Sequence, residues 1–178
     1  MNQIFNGRYI AKTNQPFVVF LIGMRVNKWW RFDKWLPVTA AMPPMLRTLI
    51  PLPEKGFLHG EFFWNFSGPA LIQYWRSFEA LERFSLEPSK PHLPAWKKFN
   101  QSAGADGAVG IWHETYLVKP DHYESVYANM PRFGLGAALE HVAATGGRET
   151  AQLRLSANNP WLMKINVFNF GTIGGDRR

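Results

Sequence analysis

The order of its apolar runs limits this chain more than any other feature. Phe17–Met24 (FVVFLIGM) is interrupted only by Gly23 and is followed at once by Arg25. A membrane helix needs about 20 apolar residues, so this run reads as a buried strand. Lys28–Ile50 carries apolar residues at Trp35, Val38, Met42, Met45, Leu46 and Leu49, the recurrence of a helix. Pro43 and Pro44 are expected to kink or split that helix, because neither has an amide donor and each restrains its predecessor. Gly56–Phe66 and Ala70–Arg76 are aromatic and strand-like, and Ser67-Gly68-Pro69 between them signals a hairpin. Ser77 is placed to cap a helix over Phe78–Phe84, whose Phe78, Leu81 and Phe84 form an apolar stripe. Ile111–Val118 is a strand with Ile111, His113, Thr115 and Leu117 on one face and Trp112, Glu114, Tyr116 and Val118 on the other. Strand, helix, strand, strand, helix, strand is the split βαβ, ferredoxin-like α+β order: one antiparallel sheet with helices on one face.

Leu58, Phe62, Ile72 and Trp112 make the sheet apolar on both faces. A second copy of the same sheet is the simplest cover, so the expectation is a homodimer closed into a dimeric α+β barrel. Residues 1–15 read as a polar arm, 16–146 as the ferredoxin-like domain and 147–178 as a polar tail. Pro94 opens a further helical piece carrying Trp96 and Phe99, Tyr123–Met130 adds a short strand, and Leu135–Ala144 a last helix.

The 178 residues suit one domain, and eight Trp with fourteen Phe supply a large aromatic core. The absence of cysteine removes disulfides, thiolate metal sites and Cys nucleophiles. The start lacks a basic, apolar, small-residue leader layout, which predicts a cytoplasmic protein with no membrane segment. A net charge of +7 leaves anionic partners open. Arg25, Lys28, Arg31 and Lys34 interleave with Trp29, Trp30 and Trp35. The favoured reading of that alternation is a solvated helix face with tryptophans packed beneath, not a nucleic-acid surface.

His59, His92, His113, His122 and His141 form no HxH, HExxH or HxxxH pair, and no P-loop, GxSxG or dinucleotide fingerprint occurs. His92 sits in Pro91-His92-Leu93-Pro94, where flanking prolines hold the backbone. It reads either as an exposed histidine near a helix start or as a directed axial ligand. His113 lies mid-strand among aromatics. It reads either as a satisfied core histidine or as an acid/base projecting into the barrel. Glu114 falls on the opposite face, which disfavours a local His–Glu dyad.

The stretch Ile72–Phe84 (IQYWRSFEALERF), then His92-Leu93, then Trp112-His113-Glu114 resembles the C-terminal half of haem-containing aldoxime dehydratases. The likeness runs from Gly56 to Gly136, and the chain as a whole resembles a monooxygenase-like family of dimeric α+β barrel proteins. The resemblance implies haem b with His92 as its axial ligand, and His113 as the catalytic histidine above the iron. Trp75, Trp96 and Trp112 would line the cofactor. The dehydratases' distal serine is replaced near Val26 or Asn27, and their assisting arginine comes from a half this chain lacks; Arg25 or Arg76 would stand in.

The resemblance thus implies a haem enzyme acting on a small hydrophobic substrate by lyase-type or oxidative chemistry. The alternatives are a cofactor-independent monooxygenase, with His113 as base and Trp64, Trp75 and Trp112 shaping the pocket, and a non-catalytic small-ligand-binding protein. Nucleic acid is not an expected partner.

Overall fold

In this computed structural model, residues 3–49, 53–86, 106–120, 122–145, 151 and 155 are described. The strands β1 (Phe5–Lys12) and β2 (Phe17–Val26) are followed by helix α1 (Phe32–Leu49), then the hairpin β3 (Phe57–Asn65) and β4 (Gly68–Trp75). Helix α2 (Phe78–Leu86), β5 (Val109–Val118), β6 (Tyr127–Met130), the single turn α3 (Leu135–Ala138) and β7 (Glu140–Ala143) complete the described elements. The main sheet has the antiparallel order β3-β4-β2-β5. With α1 after β2 and α2 after β4, this is the ferredoxin-like arrangement expected from the order of apolar runs.

Pairing register sorts the side chains into two faces. Val18, Phe20, Ile22, Met24 and Val26 of β2 stand level with Leu117, Thr115, His113, Ile111 and Val109 of β5. On the other side of β2, Val18, Phe20 and Ile22 stand level with Trp75, Gln73 and Leu71. The two helices cover this face. Val38 of α1 packs with Met24, Val26, Leu71 and Val109, while Leu81 and Phe84 of α2 pack with Val18, Phe57 and Trp75. Ser77 caps α2 as expected, its hydroxyl accepting the Ala80 amide hydrogen at 3.2 Å.

Three expectations are corrected. Helix α1 is not split but continues through Pro37, Pro43 and Pro44; each proline forgoes one amide bond, and the helical backbone continues on either side. The arm of residues 1–15 contains β1, the centre of a second sheet ordered β6-β1-β7. Leu135–Ala144 is a single helical turn followed by β7, which pairs with β1 from Tyr9↔Ala143 to Lys12↔Glu140. The helical piece after Pro94, and almost all of the 147–178 tail, lie outside the described residues.

The second sheet lies against the face of the main sheet opposite the helices. The Gly134 amide donates to Glu61 Oε1 at 3.1 Å, Phe133 meets Phe63 edge to face, and Phe17 meets Tyr123 likewise. No helix among the described residues is long and apolar enough to cross a membrane.

Candidate active site

The helices cap opposite ends of one sheet face, and a strip of that face lies between their two clusters. Phe20 and Ile22 lie in it on β2, Gln73 on β4, and His113 and Thr115 on β5, while Leu71 is fully buried in the α1 cluster. Ile22 packs toward the α1 cluster and Phe20 toward the α2 cluster. His113 is exposed at the rim, its ring 5.9 Å from that of Phe20 at an interplanar angle of 41°. Gln73 is the buried polar side chain of the described core, 3% exposed. Its carbonyl oxygen accepts the Trp75 indole N–H at 3.0 Å. An apolar floor with one imidazole at its edge and one carboxamide beneath suits a small hydrophobic molecule carrying a few polar atoms.

The face expected for His113 is therefore corrected. It does not project into the barrel, because the surface free to meet a second sheet carries Trp112, Glu114 and Tyr116. It is not an enclosed core histidine either. Strand alternation separates His113 from its sequence neighbours as expected, but the helices dock on its side.

The remaining expected site residues do not gather around it. Trp75 is fully buried under α2, edge to face with Phe57 and tilted against Phe84. Trp112 lies over β2 on the other face, where a Cβ on Gly23 would meet its ring at 2.5 Å. Arg25 is exposed on that face too, its Nε donating to Asn27 Oδ1 at 3.2 Å. Arg76 follows β4 at the α2 end of the sheet, its amide bonded to the Gly56 carbonyl. His92 and Trp96 lie outside the described residues. Trp64 is exposed at the far end of β3, 6.5 Å from Trp35.

The aromatic–basic stretch also differs from expectation. Trp35 does pack inward, donating its indole N–H to the Trp29 carbonyl, but Trp29 and Trp30 are exposed, Trp30 at 70%. Arg31 is pinned between Asp33 and Asp106 at 2.8 and 2.9 Å, and the Ala108 amide together with the nearby cations holds Asp106 below the usual carboxylate range.

A second polar group, unnoticed in the sequence, lies between the sheets. His59 Nε2 and Glu61 Oε1 are 2.8 Å apart, half-buried, and the same carboxylate oxygen accepts the Gly134 amide. The spacing H-x-E within a strand was its signal, since alternate residues share a face. Burial, with Tyr127 and Glu61 nearby, pushes the Tyr74 hydroxyl up to about 12. This group joins the sheets; Glu61 is committed to the loop before α3.

A family model described as Monooxygenase af470-like matches residues 17–135. The chain belongs to that family. Monooxygenase af470 of Aspergillus fumigatus is 35% identical over 100 residues, 54% of this chain and 35% of that protein. The chain therefore matches about a third of its curated relative's length. An aldoxime dehydratase crystal structure superposes with a TM-score of 0.59 at 20% identity, covering 81% of this chain and 45% of that one. Another, complexed with butyraldoxime, gives 0.57 at 18%, covering 77% and 42%. SnoaB from Streptomyces nogalater, a cofactor-independent oxygenase, gives 0.42 at 13%, covering 58% and 93%.

These findings correct the haem expectation, and with it the haem-dependent lyase reading. The likeness to the dehydratases is one of fold, and the family to which the chain belongs is described by a monooxygenase. The tryptophans assigned to the cofactor do not form a cradle: Trp75 is sealed beneath α2 with its N–H spent on Gln73, and Trp112 lies on the opposite sheet face. Among the described residues no three metal-ligating side chains converge.

Proposed function

We propose that the chain is a cofactor-independent oxygenase acting on a small hydrophobic hydroxyarene, with His113 as the base. The observation that carries the reading is the placement of an exposed imidazole against Phe20, at the edge of an apolar strip, in a chain of a monooxygenase family. A neutral imidazole near pH 7 accepts a proton from an acidic hydroxyl. The resulting arenolate is electron-rich at its ring carbons and reduces dioxygen, which adds at a C–H position. The adduct loses water. The ring gives up two hydrogens, one from oxygen and one from carbon; one dioxygen atom becomes a new carbonyl and the other leaves in the water. Phe20 and Ile22 hold the ring and keep bulk water from the anion.

The working form in this reading is a homodimer. The sheet face opposite the helices keeps Trp112 37% and Tyr116 50% exposed beside half-buried Val19, Leu21 and Ile72. A patch of that kind favours a partner surface.

Oxygen consumption by haem-free, chelator-treated protein with naphthols as substrates tests the function. Uptake in the wild type that is lost in His113→Ala supports it. No uptake with any naphthol, or equal uptake by the variant, overturns it, and binding without uptake would favour a ligand-binding protein.

A further inference from the structure

Gln73 has a polar end that the fold does not use. It is 3% exposed and stands among Phe20, Leu71 and Trp75 on the helix-covered face. Trp75 fixes which end of the carboxamide points where. An indole nitrogen only donates, so the atom 3.0 Å from it is the carbonyl oxygen. The indole itself is immobile, fully buried between Phe57 and Phe84. The amide nitrogen is left with two hydrogens, and no described residue accepts either of them. That nitrogen is also not walled in. Among the described residues, the fully enclosed side-chain polar atoms without partners are the two ring nitrogens of His141.

The side chain is almost wholly buried while its amide nitrogen stays reachable, and a donor so placed has its acceptor supplied from outside the fold. We propose that Gln73 is a substrate-binding residue, donating its amide hydrogens to a carbonyl oxygen of the substrate. This deepens the reading of the strip as the substrate site and rests on it. Gln73 stands level with Phe20, and His113 stands level with Ile22 one strand further on, so the two polar groups share a face with Phe20 between them. Two strand spacings and two residues separate their Cα atoms by roughly 12 Å. A planar molecule of about two fused rings lies across Phe20 with its hydroxyl at His113 and its carbonyl at Gln73. The substrate class is thus a keto-phenol, in which the carbonyl end sets the direction of binding.

The test is binding, read by quenching of tryptophan fluorescence, with a hydroxytetralone and the matching tetrahydronaphthol that lacks the ketone. Wild type is expected to favour the ketone about tenfold, the value of one hydrogen bond to a group that is otherwise unsatisfied. Gln73→Met is expected to bring that preference to about one while leaving tetrahydronaphthol binding within about twofold. Because Gln73→Met strands the Trp75 N–H, the pair Gln73→Met with Trp75→Phe serves if the single variant does not fold. His113→Ala is expected to keep the preference. Equal wild-type binding of both probes, or a preference that survives either Gln73 variant, overturns this proposal alone. Failure of both probes to bind overturns the strip as a substrate site and this proposal with it.

Discussion

His113 and Phe20 meet ring to ring at 5.9 Å on the helix-covered face of the sheet, whereas Trp112, one residue earlier, lies over Gly23 on the opposite face. One peptide bond thus separates the proposed base from a residue packed on the other face. The two functions should be separable by mutation.

His113→Ala is expected to lower oxygen-consuming turnover by about 100- to 10,000-fold, the usual worth of a positioned general base. Substrate affinity should change by no more than about threefold, because Phe20 and Ile22 supply most of the apolar contact. Steady-state kinetics and equilibrium binding together check this. A loss confined to KM would point to a binding role for the imidazole.

Gly23→Ala should act on the other face. The new Cβ would lie 2.5 Å from the Trp112 ring, too close for any real contact. Displacing the indole is expected to cost about 1–3 kcal/mol, as overpacking generally does. Urea denaturation measures the loss, and turnover per folded molecule should stay near the wild-type level.

Trp112→Glu tests the proposed homodimer. Light scattering should give twice the chain mass for the wild type and the chain mass for the variant, since a charge at the centre of an apolar interface loses its hydration without gaining a partner. A wild type that is monomeric at micromolar concentration contradicts the dimer.

His141 provides a pH prediction. Its two ring nitrogens are enclosed without partners, among Phe5, Tyr9 and Tyr127. Burial, and then the charge of Arg132, holds the imidazole pKa below its ordinary value. The unfolded chain therefore takes up this proton at a higher pH than the folded one. Stability from this group is complete above the ordinary value of about 6.5 and is lost as pH falls through the depressed folded value. Denaturation midpoints at pH 7.5 and pH 5.5 should show the decline, and His141→Phe should flatten it. An equal decline in the variant would assign the effect to other groups.

Much of the fold was legible because its signals are local. The run Phe17–Met24, the Ser67-Gly68-Pro69 hairpin and the alternation through Ile111–Val118 each report a backbone period, and each corresponds to an observed element. The misreadings share a cause. β1 is weakly apolar and β7 is short, and β1 is a strand because β6 and β7, more than 110 residues distant in sequence, pair with it. The prolines of α1 carried a strong local penalty, yet the helix runs through them, with Trp35 and Val38 of its first half packed on the main sheet. Local propensity yields where tertiary burial outweighs it.

The candidate site divides along the same line. The sequence alone determined that His113 and Trp112 lie on opposite faces of one strand, that the chain folds as a ferredoxin-like α+β domain, and that its residues supply no thiolate. Only the tertiary structure decided which face the helices cover, and so that His113 belongs with Phe20 and Gln73 and apart from Arg25 and Trp112. A period of two states which side chains point the same way. It does not state what they point at, because that depends on where helices distant in sequence come to rest.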